Sequence, residues 1–196
     1  MANRPNAMSE RKRWDRRYRD DPDHYPTDAD PHPFLLERAN DLPTTGAALD
    51  IACGLGRNAV WLARRGLRVT AVDISSVACD ILRRRAADLN LAIDVQRLDL
   101  EHDPLPTGPF DLIVNTLYLE RPLAPQIERA LAPGGLLLFS TMLEGGTGPD
   151  PVHKEFVLQR GELPQLFPGL EVVHFREDPP GPERPNADLL ARNPAE

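Results

Sequence analysis

From residue 47 onward the chain alternates short apolar runs with longer stretches in which apolar residues recur three or four apart. Short runs bounded by glycine or charge fit strands buried on both faces, and the three-four spacing fits helices with one buried side. The pattern predicts strands over residues 47–52, 68–72, 92–98, 110–115, 136–140, 170–175 and 187–192. It predicts helices over 58–65, closed by Gly66, over 75–90 with Val77, Ile81 and Leu82 on one face, near 124–131 and near 161–167. Pro133-Gly134-Gly135 reads as a tight turn that opens the strand at 136. Strands alternating with helices predict an α/β, doubly wound domain, a parallel sheet covered on both faces.

The first 45 residues have another character. Residues 1–8 read as a disordered leader, and from Ser9 the pattern turns helical, with Trp14 and Tyr18 four apart on one face among arginines. Prolines 22, 26, 31 and 33 break that helix, and residues 34–40 predict a second short one. The expected division is leader and lid helices over 1–45 and a single domain over 46–196, with no internal repeat.

Bulk properties narrow the classes. The chain has 196 residues, enough for one domain with a full core. A formal net charge of −7 argues against nucleic acid, whose phosphates need clustered cations. No run approaches the roughly 20 apolar residues of a membrane span, and the polar N-terminus lacks a secretory apolar stretch. Cys53 and Cys79, without a CxxC spacing, make neither a zinc site nor a disulfide framework, so no metal is expected and the expected setting is the cytoplasm. The charge suits a monomer or homodimer.

The segment Asp50-Ile51-Ala52-Cys53-Gly54-Leu55-Gly56 ends the first predicted strand in a glycine turn that leads into a helix. Gly54 and Gly56 allow the chain to bend and a ligand to approach backbone. Asp73 follows Gly54 by 19 residues, at the tip of the next strand, where a carboxylate accepts from ribose hydroxyls. It also suits a helix N-cap, a role that Ser75 or Ser76 could take instead. Asp99 ends the third strand, on the same sheet edge. Gly54-Leu55-Gly56-Arg57-Asn58-Ala59 also matches the dinucleotide fingerprint, so the glycines alone leave two cofactors open. Asp50 separates them. A pyrophosphate has no use for an anion there, whereas the cationic methionine end of S-adenosyl-L-methionine does.

Residues 49–58 resemble the first motif of class I methyltransferases. Val72-Asp73, Leu98-Asp99-Leu100, Phe110-Asp111-Leu112-Ile113 and Leu131-Ala132-Pro133-Gly134-Gly135 resemble the later motifs in order. The Gly-Arg-Asn end of the loop, Arg160-Gly161-Glu162-Leu163, Phe175-Arg176-Glu177-Asp178 and Leu189-Leu190-Ala191-Arg192 are similar to the tellurite-resistance methyltransferase family. The resemblance implies a seven-stranded, mostly parallel Rossmann-like sheet with an antiparallel last strand. It implies Asp50, Ala52, Cys53, Gly54 and Gly56 around the methionine and ribose of the cofactor. It implies Asp73 and Ile74 at the ribose, Asp99 and Leu100 at the adenine, and Asn115 beside the transferred methyl. Arg57 and Asn58 either open the helix or hold the cofactor carboxylate.

Two departures stand out. Ala52 replaces the first glycine of the usual motif, and a methyl there fits an ordinary β backbone. The family's His-Arg pair falls where this chain has Pro179-Pro180-Gly181-Pro182-Glu183-Arg184.

The expected activity is methyl transfer to a small-molecule acceptor, a thiol, selenium or tellurium species among the candidates. The attack is in line at the methyl carbon and depends on positioning more than on an acid or base. Trp14, Tyr18, His24, Tyr25, Tyr118 and Arg184 are the candidate acceptor contacts. None of the histidines 24, 32, 102, 153 and 174 carries a catalytic assignment. The rival readings are an NAD-dependent oxidoreductase using the same glycine turn and a non-catalytic S-adenosylmethionine-binding protein.

Overall fold

The computed structural model describes residues 7–148, 154–179 and 181–195. The leader over residues 1–6 and His153 lie outside the described residues. Seven strands form one sheet: β1 (Ala47–Ile51), β2 (Arg68–Asp73), β3 (Ile93–Arg97), β4 (Phe110–Thr116), β5 (Leu131–Met142), β6 (Glu171–Glu177) and β7 (Asn186–Arg192). Their order is β3-β2-β1-β4-β5-β7-β6. The pairs β1–β2, β1–β4, β2–β3 and β4–β5 are parallel, and β7 runs antiparallel to both β5 and β6. The fold is the doubly wound Rossmann-like arrangement that the sequence pattern implies.

Why these runs form strands is visible in where their side chains go. Successive residues of a strand face opposite sides, and in β1, β4, β5 and β7 both sides are largely dry. Ala48, Leu112, Val114, Leu136, Leu138 and Leu190 join one core, shared with Phe34 and Leu35 of α2 (Pro33–Glu37), Leu62 of α3 (Arg57–Arg64) and Leu82 of α4 (Ser76–Asp88). Leu49, Ile51, Ile113, Leu137, Phe139 and Leu189 join the other, against Ile127 of α5 (Ala124–Ala130) and Leu163 of α6 (Glu162–Gln165). A sheet covered on both faces needs no polar alternation, hence the continuous apolar runs.

Several expectations need correction. The first helix, α1 (Ala7–Asp20), begins two residues before Ser9, so Ala7 and Met8 belong to it rather than to a leader. Strand β3 stops at Arg97, so Asp99 sits in the following turn. Helix α6 is shorter than the expected 161–167. Pro133-Gly134-Gly135 lies inside β5 rather than ahead of it. Phe110 pairs with Leu131 and Leu112 with Leu136, so the extra residues loop out as a bulge. Asn193 fastens that bulge: its N–H donates to the Gly135 carbonyl at 2.8 Å, and its Nδ2 to the Leu131 and Ala132 carbonyls at 3.1 and 3.0 Å.

The antiparallel end of the sheet carries a buried charge. Asp188 of β7 accepts from Ser140 Oγ at 2.6 Å and from Arg176 at 2.7 Å, and Arg176 also reaches Glu37 of α2 at 3.1 Å. Removing Asp188 leaves the buried Ser140 hydroxyl without its partner, while the half-exposed Arg176 keeps Glu37. Asp188→Ala is therefore expected to lower stability by about 1–3 kcal/mol, read as a shift in the urea midpoint. An unchanged midpoint contradicts this reading.

Candidate functional site

The turn after β1 is built on left-handed backbone. Ala52, Gly54 and Gly56 have φ of 51°, 53° and 81°. The expectation of an ordinary β conformation at Ala52 therefore fails, and its methyl is carried at a strain of about 1–2 kcal/mol. The turn is held against β2, with Cys53 N–H donating to the Val72 carbonyl at 3.0 Å and Gly54 N–H to Asp73 Oδ2 at 2.8 Å.

Asp73 joins two loops. Its other oxygen, Oδ1, accepts from Ser75 N–H at 2.8 Å. Burial raises its pKa, while the two N–H donors pull the other way. The cap of α4 falls to Ser75, whose Oγ accepts from Ala78 N–H at 3.2 Å. Asp73 thus faces the loops rather than capping the helix.

Helix α1 docks on the same corner. Asp15 accepts from Ser75 Oγ at 2.7 Å, from Val77 N–H at 3.2 Å and from Ser76 Oγ at 3.2 Å. The Ser75, Val77 and Ser76 donors hold the Asp15 pKa below its usual value against the opposing effect of burial. The rings of α1 then face the glycine turn. Trp14 and Tyr18 stack at 5.6 Å, and Tyr25 meets both edge-on at 6.4 and 5.1 Å. The Tyr18 hydroxyl lies over Gly54 so closely that a Cβ there would fall 2.9 Å from its oxygen. Burial, and then Asp73, push the Tyr18 phenol far above its ordinary range.

Together these elements enclose a cavity of about 340 Å³. Ala52, Cys53, Gly54, Arg57 and Asn58 line it from the glycine turn, Asp73 and Ile74 from β2, and Asp99 and Leu100 from the loop after β3. Trp14, Tyr18, His24, Tyr25 and Tyr118 line the remaining wall. Four expected residues are not on its surface. Gly56 packs on Leu82 in the core. Arg184 lines a separate cavity of about 400 Å³ with Arg121 and Glu144. Asp50 and Asn115 lie fully buried behind the wall at the ends of adjacent strands.

These last two are the unusual feature. Both oxygens of Asp50, and Oδ1 of Asn115, are buried without a hydrogen-bond partner. Burial drives the Asp50 pKa up to about 7; the nearby Ala59 N–H, Arg57 and Asn58 side chain offset it only in part, and none meets full hydrogen-bond geometry with Asp50. A buried, unpaired carboxylate is costly unless a cation or donor completes it. Residues 48–135 match the methyltransferase domain family. Over those residues the chain is similar to a class I S-adenosylmethionine-dependent methyltransferase domain.

The domain is 33% identical over 102 residues to malonyl-[acyl-carrier protein] O-methyltransferase of Serratia marcescens, covering 50% of this chain and 38% of that one. It is 34% identical over 100 residues to ubiquinone biosynthesis O-methyltransferase of Nitrosococcus oceani, covering 48% and 42%. The chain thus spans about two-fifths of these curated relatives. The fold matches TehB from Haemophilus influenzae at a TM-score of 0.73 and 21% identity, over 83% of this chain and 62% of that one.

Several residues that line or brace the wall were not anticipated. Asp15 carries no motif; the signal was the one acid within the basic run from Arg11 to Arg19, with Ser75-Ser76 opening another helix. Thr116 accepts from Asn58 Nδ2 at 2.9 Å, and Asn58 Oδ1 accepts from His32 N–H at 2.9 Å, so Asn58 braces the wall. Leu117 stands half exposed at φ 60° on the tip of β4, a conformation that side chains avoid unless the surroundings impose it. His32 caps α2 through Nδ1, and burial pushes its pKa down to about 4. No helix among the described residues is long and apolar enough to cross a membrane.

Proposed function

We propose that the protein transfers a methyl group from S-adenosyl-L-methionine to a small-molecule acceptor, and that the attacking atom is soft, a thiol sulfur or a selenium or tellurium centre. The observation that carries the cofactor is the unpartnered pair behind the glycine turn. Asp50 and Asn115 offer acceptors with no donor, which suits an ammonium group and gives a dinucleotide pyrophosphate nothing. Asp73 keeps free lone pairs for the ribose, and Asp99 with Leu100 lies at the adenine. Both polar ends of Asn58 are engaged, which leaves Arg57 for the cofactor carboxylate.

When bound, the cofactor supplies a methyl group on a sulfonium, already a good leaving group. The chain's own residues then bind, orient and exclude water. A soft acceptor needs no strong base, and several of the cavity's polar groups are already engaged within the protein. Glu10 is paired with Arg13 at 2.5 Å, Asp99 accepts from Glu101 N–H and meets His102 at 3.0 Å, and the Tyr18 and Tyr118 phenols are both pushed up by burial. A thiol ionises near neutral pH without such help. The free, buried Cys53 and Cys79 fit a cytoplasmic setting.

Calorimetric titration with S-adenosylhomocysteine and with NAD tests this reading. The homocysteine nucleoside is expected to bind, and more tightly as pH rises from about 6 to 8. The sign follows from Asp50. Its folded pKa is raised to about 7 from an ordinary 3.8, so the protonated form stabilises the free protein. That contribution is complete below the ordinary value and lost as pH climbs through about 7. An ammonium partner favours the ionised form, so binding below pH 7 must expel a proton. Asp50→Asn should flatten the profile. Binding of NAD without S-adenosylhomocysteine, or an affinity indifferent to pH in the wild-type protein, refutes the assignment.

A further inference from the structure

We infer that the acceptor is a small, uncharged aromatic thiol, gripped between the rings of the N-terminal segment and the apolar tip of β4. This rests on the methyl-transfer reading above and narrows it. Three observations carry it.

The first is the ring wall. Trp14, Tyr18 and Tyr25 all line the cavity and brace one another at 5.1–6.4 Å. The wall is preformed, because Asp15 fixes its helix to three donors at the opening of α4. Rigid rings cost little ordering on binding and favour a flat partner by offset or edge-to-face contact. The second is the opposite wall, where the strained, half-exposed Leu117 presents apolar surface beside Tyr118.

The third is charge. Glu10, Asp73, Asp99 and Glu101 line the cavity, and Arg57 is the one arginine or lysine among its described lining residues. Arg13 and Arg17 lie over the Trp14 ring without lining the cavity. With Arg57 beside the glycine turn, an anionic acceptor meets no cation of its own and several like charges. A carboxylated or oxyanionic acceptor is therefore disfavoured, and a neutral ring is accepted. In the reaction the sulfur lone pair forms the new S–C bond. The cofactor's C–S bond breaks with its electron pair staying on the departing sulfur, and the thiol proton passes to water.

The test is a matched acceptor series with the full chain and S-adenosylmethionine, reading S-adenosylhomocysteine formed. Thiophenol is expected to exceed 4-mercaptobenzoate at least tenfold in kcat/KM, with tellurite inactive. Cyclohexanethiol serves as the non-aromatic reference, because its intrinsic reactivity cancels in a ratio. Tyr25→Leu and Trp14→Leu should each lower the thiophenol-to-cyclohexanethiol ratio at least fivefold, and Trp14→Phe should retain most of it. A preference for 4-mercaptobenzoate or tellurite, or a ratio unmoved by both leucine variants, overturns the acceptor assignment and leaves methyl transfer standing. Binding of S-adenosylhomocysteine with no thiol or metalloid methylated overturns the soft-acceptor reading on which this inference rests.

Discussion

Asp73→Ala is expected to weaken binding of S-adenosylhomocysteine roughly 10–100-fold, the worth of hydrogen bonds to a charged acceptor. The effect has two sources. The carboxylate offers its remaining lone pairs to the ribose, and it also ties Gly54 N–H and Ser75 N–H together. Without it both donors lose their partner, and the glycine turn is no longer registered against α4. Asp73→Asn should recover little, because an amide offers one acceptor and turns a donor toward a backbone N–H. Titration calorimetry on folded variants reads both, and an unchanged dissociation constant for Asp73→Ala removes Asp73 from the site.

The two glycines of the turn should separate into two phenotypes. Gly56 sits at φ 81°, and a Cβ there runs into the Leu82 side chain in the core. Left-handed strain and overpacking add, so Gly56→Ala should cost about 2–5 kcal/mol of stability. Gly54 sits at φ 53°, and its Cβ would meet only the Tyr18 hydroxyl, the far end of a side chain that can move. Gly54→Ala should cost about 1–2 kcal/mol in stability and lose more in cofactor affinity than in folding. Thermal unfolding with and without S-adenosylhomocysteine distinguishes them. Equal melting points for the two variants would falsify the division of roles.

The sequence made local periodicity legible, and with it the seven strands, because a run such as Leu136 to Phe139 owes its pattern to burial on both faces. The glycine turn and Asp73 were legible because their spacing is set by one strand and one helix. What stayed hidden depends on distant approach. Nothing near Asp15 announces that it will meet Ser75, and nothing near Asp188 announces Ser140 and Arg176. The bulge at Pro133-Gly134-Gly135 looked like a turn because its partner, Asn193, lies some sixty residues on. Ala52 was misjudged because a left-handed alanine is chosen by the close packing of the turn on β2, not by its neighbours in the chain. Arg184 was grouped with the acceptor contacts on the strength of resemblance, and the loop that carries it opens on a different cavity.

The position of β7 between β5 and β6 has a consequence for biosynthesis. Strands β1 to β5 pair among themselves, but β6 has its only partner in β7, which is translated after it. As the ribosome nears the end of this segment, β5 still presents an open edge, and β6, exposed along most of its length, has no strand to pair with. Residues 186–192 close both at once, and Asn193 then secures the bulge in β5. A nascent chain stalled ahead of them is therefore a sticky, half-built sheet, exposed to chaperones and to its own neighbours on the polysome.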